Sequence, residues 1–351
     1  SKPFQDKLKQ IGEGTTVFNH ITTAAQPYVC SLIAEQFFRQ SDRRLWIITD
    51  NLNTQELLTE GIELWYEEPL FFPDIESVSS NHSLPDQERH AERMSVLKTL
   101  ESFETIKDII IILEKSLNEE VSSPESINSN KIKIEKGQKI EMNYLVNQFV
   151  SIGYEKDSIV TERGQFSIRG GIIDVFPIQS LNPYRIEFFG DEVDSIRIFE
   201  VDSQTSIRVV DSFQVLSGIE DTNKCKLKDY INNDDLILKV GSNDGKYSVI
   251  ITNEPDDSDT EEDFSTACFE SPFGSFDAGE FILQQARFQN FKKTLSEWYQ
   301  KKWKAFIFFK NEGELERFNE LANDLDVLPV SGYLETGIGS ISHGFIIPSS
   351  K

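Results

Sequence analysis

Glu162-Arg-Gly-Gln-Phe-Ser-Ile-Arg-Gly-Gly-Ile-Ile-Asp-Val-Phe-Pro177, continued by Asn182-Pro-Tyr-Arg-Ile-Glu-Phe-Phe-Gly-Asp-Glu-Val-Asp-Ser-Ile-Arg197, decides the fold of the middle of this chain. Its runs of β-formers are broken by Gly170, by Asn182 and Pro183, and by Gly190 and Asp191, the punctuation of hairpins. The spacing predicts strands at Phe166–Arg169, Gly171–Phe176, Tyr184–Phe189 and Glu192–Phe199, in an antiparallel meander. Period-two alternation puts Arg185, Glu187 and Phe189 on one face, with Tyr184, Ile186 and Phe188 on the other. Gly170 and Gly171 serve the turn between two strands, where a positive φ or close approach is needed.

Upstream of the meander, Ile132 to Ile140 reads as strand and Tyr144 to Ile152 as a short helix ending at Gly153. From Glu119 to Asn130 the composition turns to Ser, Asn, Glu and one Pro, which marks a linker or exposed loop and a domain boundary. The first third has a different rhythm. Gln26 to Arg39 carries helical spacing, Leu45 to Thr49 is β-rich, and Thr54 to Glu60 is helical with a stop at Gly61. Gln87 to Phe103 follows as a helix and Ile109 to Leu113 as a buried parallel strand.

Past Leu216, Leu236 to Val240 and Tyr247 to Thr252 read as strands, and Glu254 to Asp263 as a solvated acidic loop. Helices at Phe288 to Lys302 and Glu312 to Ala322 then alternate with strands at Ala305 to Phe309, Val327 to Val330 and Phe345 to Ile347. The expected fold class is α/β: a P-loop-type parallel-sheet domain, split into N- and C-terminal parts by an inserted β-rich α+β domain. The boundaries fall at 1–127, 128–215 and 216–351.

At 351 residues the chain suits two or three domains, and its 26 Phe and 4 Trp supply ample apolar surface despite a mean hydropathy of -0.37. A net charge of -24 and a pI near 4.6 set a repulsive field against DNA, RNA and anionic lipid. Cys30, Cys225 and Cys268 are far apart, with no CxxC spacing. They indicate neither a disulfide framework nor a zinc site and suit a reducing cytoplasm. The N-terminus has no apolar signal region, and no apolar run approaches the length of a membrane span.

The motifs that would carry catalytic chemistry do not occur in this sequence. A phosphate-binding loop would precede the helix beginning near Gln26, but Phe18-Asn-His-Ile-Thr-Thr-Ala-Ala-Gln-Pro27 contains no Lys and no Gly, and Pro27 lacks an N–H. His20, His82, His90 and His343 show neither HxH nor HExxH spacing, so no metal is expected. The block Glu254 to Asp263 lacks the glycine an EF-hand loop turns on. Asp74, Glu76, Asp86, Glu88 and Glu92 read as charge on an exposed loop and helix rather than an acid/base pair. The expectation is a chain with no catalytic residue and no cofactor.

The quoted stretch, with Phe199 to Asp202, closely resembles the signature shared by the excision-repair helicase UvrB and the bacterial transcription-repair coupling factor. Leu70-Phe-Phe-Pro-Asp-Ile-Glu76, Pro85 to Gln87 and Arg93 to Leu100 resemble the coupling factor's early segment, with Ile75 where an aromatic is usual. In UvrB the loop before Gln26 would be a working Walker A; in the coupling factor's first domain it is degenerate. The missing Lys therefore favours the latter, specifically its N-terminal UvrB-homology region.

That resemblance implies that the β-rich insertion docks the damage-sensing ATPase UvrA through arginines and an aromatic, here Arg169, Arg185 and Phe189, with Arg163 and Arg197 extending the patch. Arg163, at a hairpin mouth, has a structural alternative. In an arbitrary sheet the arginines would be solvated and Phe189 core; the resemblance reverses that preference. Charge agrees, since Lys131 to Asp211 holds 10 Lys and Arg against 13 Asp and Glu, a net of -3 that leaves -21 for the rest. RNA polymerase and DNA would be met only through domains downstream of Lys351. The rival readings are a stand-alone UvrB-like adaptor competing for UvrA, and a UvrB-like ATPase or helicase.

Overall fold

A computed structural model describes residues 2–11, 14–74, 87–101, 107–129, 131–218, 223–243, 246–254, 264–269, 285–324, 333–341 and 343–347. Its contacts divide the chain into two units, one of residues 1–69, 107–111 and 235–351, the other of residues 70–106 and 112–234. The first is thus assembled from both ends of the chain, with the β-rich segment between them in sequence. This is the α/β fold with a β-rich insertion that the sequence predicts.

In the first unit, Thr16–Phe18, Val249–Ile251, Leu236–Val240 and Leu45–Thr49 pair in parallel in that order, and Ile109–Leu113 is the next neighbour of Leu45–Thr49. Leu45–Thr49 and Ile109–Leu113 are buried at every position, as strands covered on both faces must be. Helix Gln26–Phe38 buries Val29, Cys30, Ile33 and Ala34 in the core that holds these strands. Helix Leu52–Glu63 starts at Asn51, whose side chain accepts from the Thr54 amide, and runs on through Gly61.

Gly61 therefore does not stop that helix as its sequence suggests. A Cβ there would lie 2.6 Å from the Pro27 ring, so the glycine serves close helix-to-helix approach. Toward the C-terminus, Ala305–Phe309 pairs in parallel with Leu334–Ile338, a strand the sequence reading missed. Helix Gln285–Gln300 precedes this pair in sequence and Glu312–Asp324 lies between its two strands, and Phe291, Leu295 and Phe318 form a small core with Ile307 and Phe309. The strand expected at Val327 to Val330 and nearly all of the acidic block Glu254 to Asp263 lie outside the described residues.

In the second unit, a six-stranded sheet runs Ser206–Val209, Glu192–Phe199, Tyr184–Phe189, Ile172–Val175, Gln165–Arg169, Glu155–Lys156. All neighbours are antiparallel except the last pair. One face is apolar: Phe166, Ile173, Val175, Ile186, Val193 and Ile196 are fully buried. Helix Met142–Ser151 buries Leu145 and Phe149, and the Phe149 ring sits 5.7 Å from Phe166. Each such side chain contributes about 1.5–3 kcal/mol on burial. Tyr184 stacks on Phe213, ring centroids 4.0 Å apart. Phe213 belongs to Ser212–Leu216, which pairs with Lys131–Glu135.

The stretch expected as a linker, Glu119 to Asn130, instead contains the strand Glu120–Ser122, paired with Lys224–Lys226, and the helix Pro124–Ser129. Val121 and Ile127 are buried, and the Ser123 hydroxyl accepts from the Ser126 amide. The strand expected at Ile132 to Ile140 is shorter, Lys131–Glu135, because Gly137 turns the chain at a φ of 79°.

Candidate partner-docking face

The second face of the sheet is polar and built by register. Asp174 is aligned with Ser167 on one side and Arg185 on the other, and Arg185 with Arg197. Directly paired residues share a face, so alternation adds Arg169, Ile172, Glu187 and Ser195 to it. Gly170, at a φ of 61°, turns the chain from Arg169 into Ile172–Val175, and a Cβ on Gly171 would come within 3.3 Å of the Phe188 carbonyl oxygen. A bulge between Glu187 and Phe188 breaks the register shortly before the Gly190 turn. Phe189, at the tip, is 83% exposed while Ile186 is fully buried.

At the centre lies Asp174, its side chain only 2% exposed. Arg185 donates from Nε to Oδ1 at 2.7 Å and from Nη2 to Oδ2 at 3.0 Å. Arg169 donates from Nη2 to the same Oδ2 at 2.5 Å. Arg185 also donates to Gln204 at 3.3 Å and lies over the Phe199 ring at 4.5 Å. The hydrogen-bonded Asp174 carboxylate raises the Arg185 guanidinium above its ordinary value. A second pair sits alongside, in which Glu187 accepts from Arg197 at 3.1 Å and from the Ser195 hydroxyl at 2.7 Å.

Arg169, Arg185, Phe189 and Arg197 are thus gathered on one face. Arg163 is placed elsewhere, in the turn before Gln165–Arg169, beside Gly164 with its φ of 85°, and it makes no ion pair among the described residues. Val209, aligned with Arg197 on the edge strand, is 63% exposed and adds apolar surface. Alternation put Glu187 on this face but did not reveal that it and Asp174 are the carboxylates that tie the arginines down. Their signal was present: an acid directly opposite or diagonal to an arginine across a hairpin, as Asp174 is to Arg185 and Arg169 and Glu187 to Arg197, is a candidate cross-strand partner.

The loop before Gln26–Phe38 is laced into the protein. The Ile21 amide donates to the Thr252 carbonyl at 2.9 Å, and the Thr22 amide to the Thr266 hydroxyl at 2.8 Å. The Thr266 amide in turn donates to the His20 carbonyl at 3.0 Å. Asp74, expected on an exposed loop, is buried and ion-paired with Lys115 at 2.5 Å. Glu76 and Asp86 lie outside the described residues. Among the described residues, no group of three or more His, Cys, Asp or Glu could hold a metal ion, and no helix is long and apolar enough to cross a membrane.

Comparison with known proteins adds a domain family to this geometry. Residues 132–219 match the UvrB interaction domain. The matched segment contains the whole arginine and aromatic face. A transcription-repair-coupling factor from Bacillus subtilis (strain 168) is 33% identical over 187 residues, covering 53% of this chain and 16% of the relative. One from Staphylococcus aureus (strain bovine RF122 / ET3-1) is 28% identical over 354 residues, covering 98% of this chain and 28% of the relative. The chain resembles the transcription-repair-coupling factors along nearly its whole length, interaction domain included, and spans between about a sixth and somewhat over a quarter of theirs.

Proposed function

We propose that this chain is a non-catalytic recruitment region of a transcription-repair coupling factor, the N-terminal UvrB-homology part, which binds UvrA and so links stalled transcription to nucleotide-excision repair. The observation that carries the reading is the face of Arg169, Arg185, Arg197 and exposed Phe189 inside a segment matching the UvrB interaction domain. Arginine with an exposed aromatic is the usual composition of an interface hot spot, and a guanidinium fork pairs bidentately with carboxylates on a partner. In this reading the docking domain runs from 128 to 215, while 1–127 and 216–351 are the two parts of a degenerate ATPase-like domain in a cytoplasmic protein.

A UvrB-like ATPase is the weaker reading. Nucleotide binding at a helix N-terminus needs unspent amides and a cation. Here the Ile21 and Thr22 amides already donate to Thr252 and Thr266, and the loop has no lysine. The test is UvrA binding by the wild-type chain and by Arg169→Ala, Arg185→Ala and Phe189→Ala. Each variant is expected to bind more weakly, and unchanged affinity in all three sinks the docking face. ATP hydrolysis by the purified wild-type chain would revive the enzyme reading.

A further inference from the structure

We propose that Asp174 is the positioning residue of the docking face, a buried carboxylate that holds Arg169 and Arg185 side by side and presents the Arg169 fork to an acidic group on the partner. The inference rests on the docking reading above. Burying a carboxylate to 2% exposure is costly unless it is paired, and Asp174 is paired twice over. Two guanidiniums reaching in from the strands on either side of Ile172–Val175 would otherwise repel each other, and the shared anion lets both stay at one place.

The two arginines are held differently. Arg185 spends Nε and Nη2 on both Asp174 oxygens, rests over Phe199 and is 18% exposed, so its rotamer is fixed. Arg169 reaches Oδ2 through Nη2 and is 49% exposed. A guanidinium has five N–H donors, so most of the Arg169 fork is left to a partner while its direction is set from below. Fixing a long side chain before docking removes an entropy cost that binding would otherwise carry. Asp174 thus acts through Arg169 without touching the partner.

The test is calorimetric titration of UvrA with the full 351-residue chain, as wild type, Asp174→Asn, Arg169→Ala and the double variant, each checked for native melting. Asp174→Asn is expected to weaken binding about tenfold, and the double variant to bind no more weakly than Arg169→Ala alone, because the two changes remove one device. Wild-type or tighter binding by Asp174→Asn, or losses that multiply in the double variant, overturns the inference. A carboxylate that merely stabilised the sheet would not show that coupling.

If Arg169→Ala, Arg185→Ala and Phe189→Ala all bind as wild type, the docking reading fails and this one with it. If they weaken and Asp174→Asn does not, only the role of Asp174 falls. Should Asn at 174 prevent folding, Arg185→Lys asks the same question. It keeps the charge but gives Asp174 a single ammonium in place of a planar fork. The same loss and the same coupling to Arg169 are expected, and wild-type affinity overturns the proposal.

Discussion

Replacing Arg185 with alanine should separate holding the sheet together from holding a partner. The change removes the hydrogen bonds at 2.7 and 3.0 Å to a carboxylate that is 2% exposed, and the guanidinium 4.5 Å from the Phe199 ring centre. Taking one partner from a buried ion pair costs about 3–5 kcal/mol, because the remaining charge is left uncompensated. Arg169 still donates to Oδ2, so the lower end, about 3 kcal/mol, is the better figure. For a unit of this size each kcal/mol moves Tm by about 2–4 °C, so a fall of about 6–12 °C is expected by differential scanning calorimetry at neutral pH. Asp174→Ala in the same background should recover part of the loss, since the orphaned carboxylate goes too. Phe189→Ala is the contrast. An 83% exposed ring packs against little, so stability should shift by no more than about 0.5 kcal/mol while UvrA affinity falls about tenfold or more. An Arg185→Ala melting point within about 2 °C of wild type would refute the claim that Asp174 depends on this arginine.

Three further outcomes follow from packing and charge. Gly61→Ala should lower stability by about 1–3 kcal/mol in urea denaturation although alanine favours helix, since its Cβ would press on the Pro27 ring at 2.6 Å; a raised midpoint would show that the helices yield. Ile186→Ala, at a fully buried position in the centre of the sheet, should cost about 2–5 kcal/mol, and a loss under about 1 kcal/mol would contradict the packing described. Burial pushes the Asp50 carboxyl up, but hydrogen bonds from Lys239 and Ser242 outweigh it and hold the group below the ordinary carboxylate range. Its contribution is therefore present above the unfolded value near about 3.9 and is lost as pH falls through the lower folded value; Asp50→Asn should flatten the acid limb of a stability curve below about pH 4, and an unchanged limb counts against the pair.

Most of the sheet was legible because its signals are local. The alternation in Tyr184–Phe189 placed Arg185, Glu187 and Phe189 together, and the structure leaves Phe189 in solvent and buries Ile186. Gly170 and Gly190 take up the positive φ their turns require. Gly61 misled because glycine has two uses, ending a helix and letting another element approach, and the second depends on Pro27 in a different helix. Leu334–Ile338 was missed because a short strand with glycine inside it has little period of its own and is fixed by pairing with Ala305–Phe309.

The sequence by itself determined the strands of the central meander, their faces, the missing phosphate-loop lysine and the arginine and aromatic composition of the polar face. Each follows from backbone sterics, side-chain period or residue chemistry acting over a few positions. Only the tertiary structure decided that Asp174 lies under Arg169 and Arg185, that Glu187 holds Arg197, and that Thr252 and Thr266 take the amides a phosphate would need. Which acid meets which arginine, and which hydroxyl meets which amide, is set by strand register and by contacts as distant as 244 positions. Such pairings have no local periodicity to betray them, so the sequence names the arginines while the fold decides what holds them.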